Sequence, residues 1–169
     1  MPTIDQADMA RAIETWAAHI AATAGEQGGE LGLVGLISHG DVLAQRLIRA
    51  LAAAGCSAQY GAIDITLYRD DLDLRANRPA LRSSYLPFST DGMRLILVDD
   101  VIQSGRTARA ALETIFEYGR PARVELHCLV DRGGRELPIQ PDYAAWRLTS
   151  AGDIAVQLQE LDGQDAVIY

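Results

Sequence analysis

The 169-residue chain contains no lysine: all fifteen cationic side chains are arginines, set against twenty-three aspartates and glutamates, for a net charge of -8. Nonspecific nucleic-acid binding relies on clustered cations that displace counterions from phosphates, so this balance argues against it while leaving room for a local arginine patch. Only two cysteines occur, Cys56 and Cys128, and neither belongs to a Cys-x-x-Cys or mixed Cys/His pattern. A disulfide framework is excluded, and buried reduced thiols are expected. The three histidines, His19, His39 and His127, are scattered, which gives little basis for a protein-built transition-metal site. Any metal is expected to arrive with a substrate. No apolar run reaches the roughly 18 residues of a membrane helix, and the first residues lack the basic and apolar regions of a secretory signal. The expectation is a soluble, cytoplasmic protein with no membrane partner.

What is present fits one domain over residues 1–169, since the chain is 49% hydrophobic and near single-domain length. Met9, Ile13, Trp16 and Ile20 recur at helical spacing behind Asp5, a plausible N-cap. Four glycines between Gly25 and Gly32 mark a loop, and Leu33 to Ile37 is an apolar run suited to a buried strand. Ser38-His39-Gly40-Asp41 then turns into a helix carrying Val42, Leu43, Leu47, Ile48 and Leu51 and stopping near Gly55. A second strand is predicted over Gln59 to Leu67, a third over Arg94 to Val98, a helix over Thr107 to Tyr118 and a strand over Val124 to Val130. Strands alternating with helices predict an α/β fold with a mainly parallel central sheet flanked by helices. Ile154, Val156 and Leu158 alternate before Asp162-Gly163, and Val167-Ile168-Tyr169 follows, which predicts a terminal hairpin or paired strand. Residues 68–91 are rich in Arg, Asp, Pro and Ser with little period; they are too long for an ordinary connection and read either as a hairpin, lid or active-site loop or as a solvated excursion.

The segment Leu95-Ile96-Leu97-Val98-Asp99-Asp100-Val101-Ile102-Gln103-Ser104-Gly105-Arg106-Thr107 joins an apolar strand, two carboxylates, a small polar turn and a helix start. In an open α/β sheet ligands gather beyond the carboxyl ends of strands, where Asp99 and Asp100 are expected, and two anions there suit a diol or a hydrated Mg²⁺. The turn leads into a helix whose unpaired N–H groups favour an anion. Ser104 and Thr107 add hydroxyls, Gly105 permits close backbone approach, and Arg106 adds a cation if it faces the site. A diol at one end and a phosphate at the other describe a ribose 5-phosphate. The plainer alternative is a strand end with Ser104 capping a helix. Neither a G-x-x-x-x-G-K-[ST] loop nor a G-x-G-x-x-G helix start is present, which disfavours an ordinary ATPase or dinucleotide enzyme.

This thirteen-residue segment closely resembles the phosphoribosyl pyrophosphate signature of type I phosphoribosyltransferases. Asp64 to Leu72, Gly119-Arg120-Pro121, Leu129 to Gly133, Arg135 to Ile139 and Asp142-Tyr143 narrow the likeness to the bifunctional pyrimidine operon regulators and uracil phosphoribosyltransferases, and it spans nearly the whole chain. The resemblance implies the type I fold, with a small hood at about 131–150, a flexible loop at about 68–91, and a dimer or larger homo-oligomer. It also implies a transfer of the phosphoribosyl group to uracil, giving UMP and pyrophosphate, with Mg²⁺ as cofactor. By the same resemblance Asp99 and Asp100 are expected to carry the catalytic role, and Mg²⁺ to be held mainly by the substrate with these two acids assisting. The resemblance likewise implies that Leu95 to Thr107 bind the donor, that Ser38, His39 and Gly40 form the pyrophosphate turn, and that Asp131, Arg132 and Tyr143 belong to the base pocket and hood.

Three departures from the family stand out. His39 occupies a position where the family usually has arginine, and a neutral imidazole holds pyrophosphate less firmly than a guanidinium. Gln103 stands where purine-salvage relatives often carry an acid, which favours a pyrimidine acceptor. Ala144 to Leu148 replace a Gly-Lys-Asn pattern. The alternative activity implied by the resemblance is an attenuator that senses uridine nucleotides and binds the leader of a pyrimidine messenger RNA, with Arg135 and His19 where family members contact RNA. Arg135 is equally accounted for by pairing with Glu136 or a nearby Asp, and His19 by flanking the Ile20 stripe.

Overall fold

The structure, a computed structural model, describes residues 3–27, 29–66 and 84–169. In chain order the elements are β1 (Thr3–Ile4), α1 (Gln6–Ala24), β2 (Leu31–Leu36), α2 (His39–Ala53), β3 (Gln59–Ile63), β4 (Arg94–Ile102), α3 (Arg106–Glu117), β5 (Arg123–Asp131), β6 (Tyr143–Arg147), β7 (Ala155–Gln157), α4 (Gln159–Asp162) and β8 (Ala166–Ile168). Five of the strands form one sheet in the order β3-β2-β4-β5-β6, and every pairing in it is parallel. Its inner strands read as continuous apolar runs because both faces are covered. The predicted α/β class and parallel sheet are what the chain forms.

Connections on this sheet leave in opposite directions from its middle. The α2 connection runs from β2 outward to β3, whereas the α3 connection runs from β4 outward to β5. Right-handed crossovers then put the two helices on opposite faces. On one face α1 and α2 bury Met9, Ile13, Trp16, Ile20, Leu43 and Leu47 against Leu33, Ile96 and Val98; on the other α3 buries Ala108, Ala111 and Ile115 against Val34, Leu95 and Leu97. Each large side chain fully withdrawn from water contributes about 2 kcal/mol. Asp5 caps α1 as predicted, its Oδ1 accepting from the Asp8 amide at 2.9 Å. Between β2 and β4 the winding reverses, and this topological switch point is where an open α/β sheet presents a ligand crevice.

Several boundaries move from their predicted places. The second strand stops at Ile63 rather than Leu67 because Asp64 bends the chain, its Oδ1 accepting from the Thr66 amide at 2.9 Å. The third continues from Val98 to Ile102, since β5 runs on beside it to Asp131 and keeps the ladder intact. Residues 143–147, within the expected hood at about 131–150, form β6 and close the sheet edge against β5. The terminal pairing is present, β7 antiparallel to β8 through α4, and β1 joins β8 on its other side to complete a three-stranded sheet from both ends of the chain. Of the expected loop at 68–91, residues 68–83 lie outside the described residues; Tyr85 bridges Ala62 in antiparallel fashion.

Candidate functional site

At the switch point lie two adjoining clefts. One, of about 280 Å³, is lined by Asp99, Val101, Ile102, the run Gln103 to Ala108, Arg132 and Ile154. The other, of about 330 Å³, lies between Ser38 and His39 on one side and Asp99, Asp100 and Thr107 on another, with Ile65 and Thr66 at its margin. Asp99, Val101 and Thr107 line both and form the divide. The sequence-selected carboxylates, turn and Ser38-His39 therefore come together around one double site.

The two acids sit within β4, not beyond its end as expected. Asp99 is buried opposite Cys128, and Asp100 is partly exposed. Asp99 Oδ1 accepts from the Asp100 amide at 2.9 Å, and Asp100 Oδ1 accepts from the Val101 amide at 2.8 Å. Burial, reinforced by Asp99 and Asp131, pushes the Cys128 thiol well above its ordinary range, so it stays protonated and unreactive.

Gly105 precedes α3 at φ +90°, a left-handed conformation that side-chain-bearing residues avoid. The Ser104 hydroxyl accepts from the Arg106 amide at 3.2 Å. The Arg106 side chain borders the cleft, yet its Nε donates to Glu136 at 2.8 Å, so its charge is shared with an acid at the rim. Arg132 also lines this cleft, donating from Nη2 to the Gly152 carbonyl at 3.0 Å.

The Ser38 turn is pressed onto β4: a Cβ on Gly40 would stand 2.3 Å from the Val98 carbonyl oxygen, so only glycine fits. The Ile37–Ser38 peptide bond is cis. His39 Nε2 lies 3.0 Å from Asp162 Oδ2, which ties the start of α2 to α4. The Leu158 amide, with His39 adding to it, holds the Asp162 carboxyl below its ordinary range. Seven residues further along α2, Arg46 grips Glu160 and Asp165 of the same segment.

Among the residues selected for the base pocket, Tyr143 lies elsewhere in the fold. Tyr143 opens β6 and stacks on His19 and Trp16 against α1, four residues before the carboxyl end of that strand. At about 3.3 Å per residue this places it about 13 Å back along the sheet. Asp131 ends β5 but turns to Arg135, 2.8 Å away, and to the Gly133 amide. Arg135 thus pairs with Asp131 and not with Glu136. Sequence reasoning did not select Ile65, Thr66, Ile154 or Asp162. Thr66 was within reach of the rule that ligands collect beyond strand ends, applied to β3; Ile154 and Asp162 reach the site through tertiary packing alone.

The donor set suits hard cations: carboxylate and hydroxyl oxygens are present, while no group of three or more His, Cys, Asp or Glu side chains able to cage a metal occurs among the described residues. Such a site fits an ion that brings most of its own ligands, as Mg²⁺ on a polyphosphate does. No helix among the described residues is long and apolar enough to cross a membrane.

Comparison with known proteins agrees with this geometry. Residues 4–161 match the phosphoribosyl transferase domain family. The chain is 54% identical over 166 residues to the bifunctional protein PyrR of Akkermansia muciniphila, covering 98% of this chain and 93% of that one. It is 43% identical over 168 residues to the PyrR of Deinococcus deserti, covering 98% and 92%. Among solved structures, the hypoxanthine-guanine phosphoribosyltransferase of Leishmania tarentolae in complex with GMP superposes with a TM-score of 0.68 at 20% identity, over 88% of this chain and 81% of that one. The hypoxanthine phosphoribosyltransferase of Trypanosoma cruzi gives 0.64 at 22%, over 83% and 77%; at these identities the likeness is one of fold. The parallel sheet, the double cleft on its switch point and these relatives together make the chain a member of the bifunctional PyrR family, built on the type I phosphoribosyltransferase domain.

Proposed function

We propose that this protein transfers the phosphoribosyl group of phosphoribosyl pyrophosphate to uracil, releasing pyrophosphate and forming UMP. The observation that carries the reading is the pair of clefts divided by Asp99, Val101 and Thr107. A donor with phosphate groups at both ends of one ribose fits them, its 5-phosphate at the Gln103 to Thr107 turn and its pyrophosphate toward Ser38, His39 and Gly40. In this placement Asp99 and Asp100 lie along the ribose. Their carboxylates accept from its hydroxyls and favour the positive charge that develops on the ring as the pyrophosphate departs. Asp99 and Asp100 would steady a Mg²⁺ carried by the pyrophosphate, and such an ion would supply charge neutralisation of the leaving group. Arg132 and Ile154 border the remaining space, a donor-rich edge and an apolar side suited to a planar base.

The test is turnover with Mg²⁺, phosphoribosyl pyrophosphate and separate bases. Uracil is expected to be consumed, and Asp99→Asn with Asp100→Asn to abolish the reaction. Turnover of hypoxanthine or guanine with none of uracil rejects the acceptor.

We infer a second activity from family membership, since the relatives are named bifunctional. It is regulation of pyrimidine gene expression through binding of a messenger leader sensitive to uridine nucleotides. The net charge of -8 requires that contact to be local. Titration into pyrimidine-operon leader RNA with and without UMP, across salt, decides it; no nucleotide-dependent shift rejects it.

A further inference from the structure

We propose that Arg135 is a positioning residue that aims the backbone amides of the phosphate turn into the cleft. The inference rests on the reading above, in which the Gln103 to Thr107 turn takes the 5-phosphate.

Three successive carbonyls, that of Ile102 at the end of β4 and those of Gln103 and Ser104 in the turn, are drawn toward the segment following β5. The Ile102 carbonyl accepts from the Arg132 amide at 3.1 Å, and the Ser104 carbonyl accepts from the Glu136 and Leu137 amides at 2.9 and 3.1 Å. Between them, the Gln103 carbonyl accepts from Arg135 Nη1 at 2.9 Å. A peptide unit points its N–H opposite to its C=O, so carbonyls held on one side leave the amides to face the other, and converging amides form an anion-binding concavity. The middle tie is made by a side chain, not by backbone, and is therefore the one a substitution removes.

The guanidinium is fixed for this purpose. Its side chain is only 13% exposed, its Nε donates to the Ile139 carbonyl at 2.8 Å, and its Nη2 donates to Asp131 Oδ1 at 2.8 Å and to Gln140 Oε1 at 3.2 Å. A planar fork reaches these acceptors at once; a lysine ammonium, a point donor on a flexible stem, does not. Asp131 offsets the charge, so Arg135 acts by holding the Gln103–Ser104 peptide rather than by attracting phosphate. Without it that peptide is able to turn and present its carbonyl to the anion. The same contacts draw Arg135 inward, away from the RNA-facing role that the resemblance attaches to its position.

The double cleft supplies the control. Full-length protein is titrated calorimetrically with ribose 5-phosphate and, separately, with magnesium pyrophosphate, as wild type, Arg135→Met and Arg135→Lys. The expected result is a Kd for ribose 5-phosphate raised about tenfold or more in both variants, the scale of a lost charge-assisted hydrogen bond, with the pyrophosphate Kd changed less than about twofold. Should Arg135→Met fail to fold, Arg135→Lys carries the test. Unchanged ribose 5-phosphate affinity, full rescue by lysine, or equal loss of both ligands overturns the assignment of Arg135 while leaving the site itself standing. A wild-type protein that binds neither ligand overturns the underlying reading of the site.

Discussion

The Arg94 guanidinium lies end to end against the Glu125 carboxylate, Nε 2.8 Å from Oε1 and Nη2 3.0 Å from Oε2, with both side chains buried between β4 and β5. This fork joins neighbouring strands at the end of the sheet opposite the clefts. His127 continues it, Nε2 lying 3.1 Å from Glu125 Oε2, and Trp16 completes it by donating from Nε1 to His127 Nδ1 at 3.0 Å.

Removing one member of a buried ion pair leaves the other charge without compensation, at a cost of about 3–5 kcal/mol. Glu125→Ala is therefore expected to lose stability on that scale in urea unfolding, because Arg94 remains buried. A loss below about 1 kcal/mol, the level of an exposed pair, would show that solvent reaches the guanidinium.

The same network sets the acid response. An indole N–H only donates, so Trp16 requires an unprotonated Nδ1, and burial holds His127 below its ordinary range. The unfolded chain takes up a proton at this residue below about pH 6.5 and the folded chain resists, so stability falls as pH falls through that region. Glu125 adds a second loss on further acidification. Burial would raise its pKa, but hydrogen bonds from His127 and Arg94 hold it well below the carboxylate range, and its contribution is lost as the carboxylate is protonated. His127→Gln keeps an acceptor for Trp16 and a donor for Glu125 without titrating. Its melting temperature is expected to be flatter than wild type between about pH 7 and pH 5; parallel curves would place the titration elsewhere.

Gly105→Ala is expected to weaken donor binding while the fold survives. The φ of +90° costs a side-chain-bearing residue about 1–2 kcal/mol, and the new methyl would meet Ile139 and Leu137 at 3.4 and 3.5 Å. Circular dichroism should match wild type, and calorimetry with phosphoribosyl pyrophosphate should show the loss. Undiminished affinity would mean that the turn does not contact the phosphate.

His39→Arg is expected to lower the KM for phosphoribosyl pyrophosphate several-fold, since a guanidinium is charged at every working pH and donates in a planar fork. The imidazole already lines the cleft and reaches Asp162, so the larger side chain has both a direction and a partner. Steady-state kinetics at saturating base checks this, and an unchanged KM would remove residue 39 from the pyrophosphate contacts.

Much of the fold was legible from residue order. The Met9, Ile13, Trp16, Ile20 stripe and the apolar runs at 33–37 and 94–98 follow helix and strand periods, and local spacing decides those. β6 escaped because Tyr143 to Arg147 is short and half-buried, an edge strand recognisable only by its partner β5. The site was legible where it is contiguous: Asp99, Asp100 and the Gln103 to Thr107 turn are covalent neighbours. Tyr143 was misplaced because adjacency to Asp142 in a motif says nothing about which end of a strand a side chain occupies.

The sequence by itself determined the alternation of strands and helices and the acids beside a hydroxyl-bearing turn with a glycine in it, because these depend on neighbours a few residues apart. Tertiary structure alone decided that β2 and β4 lie side by side, that Ile154 from far along the chain borders one cleft and Asp162 reaches His39 of the other, and that Arg135 contacts a turn some thirty residues earlier. Those relationships arise when apolar faces pack and long loops close, and local spacing carries no record of where a distant segment comes to rest.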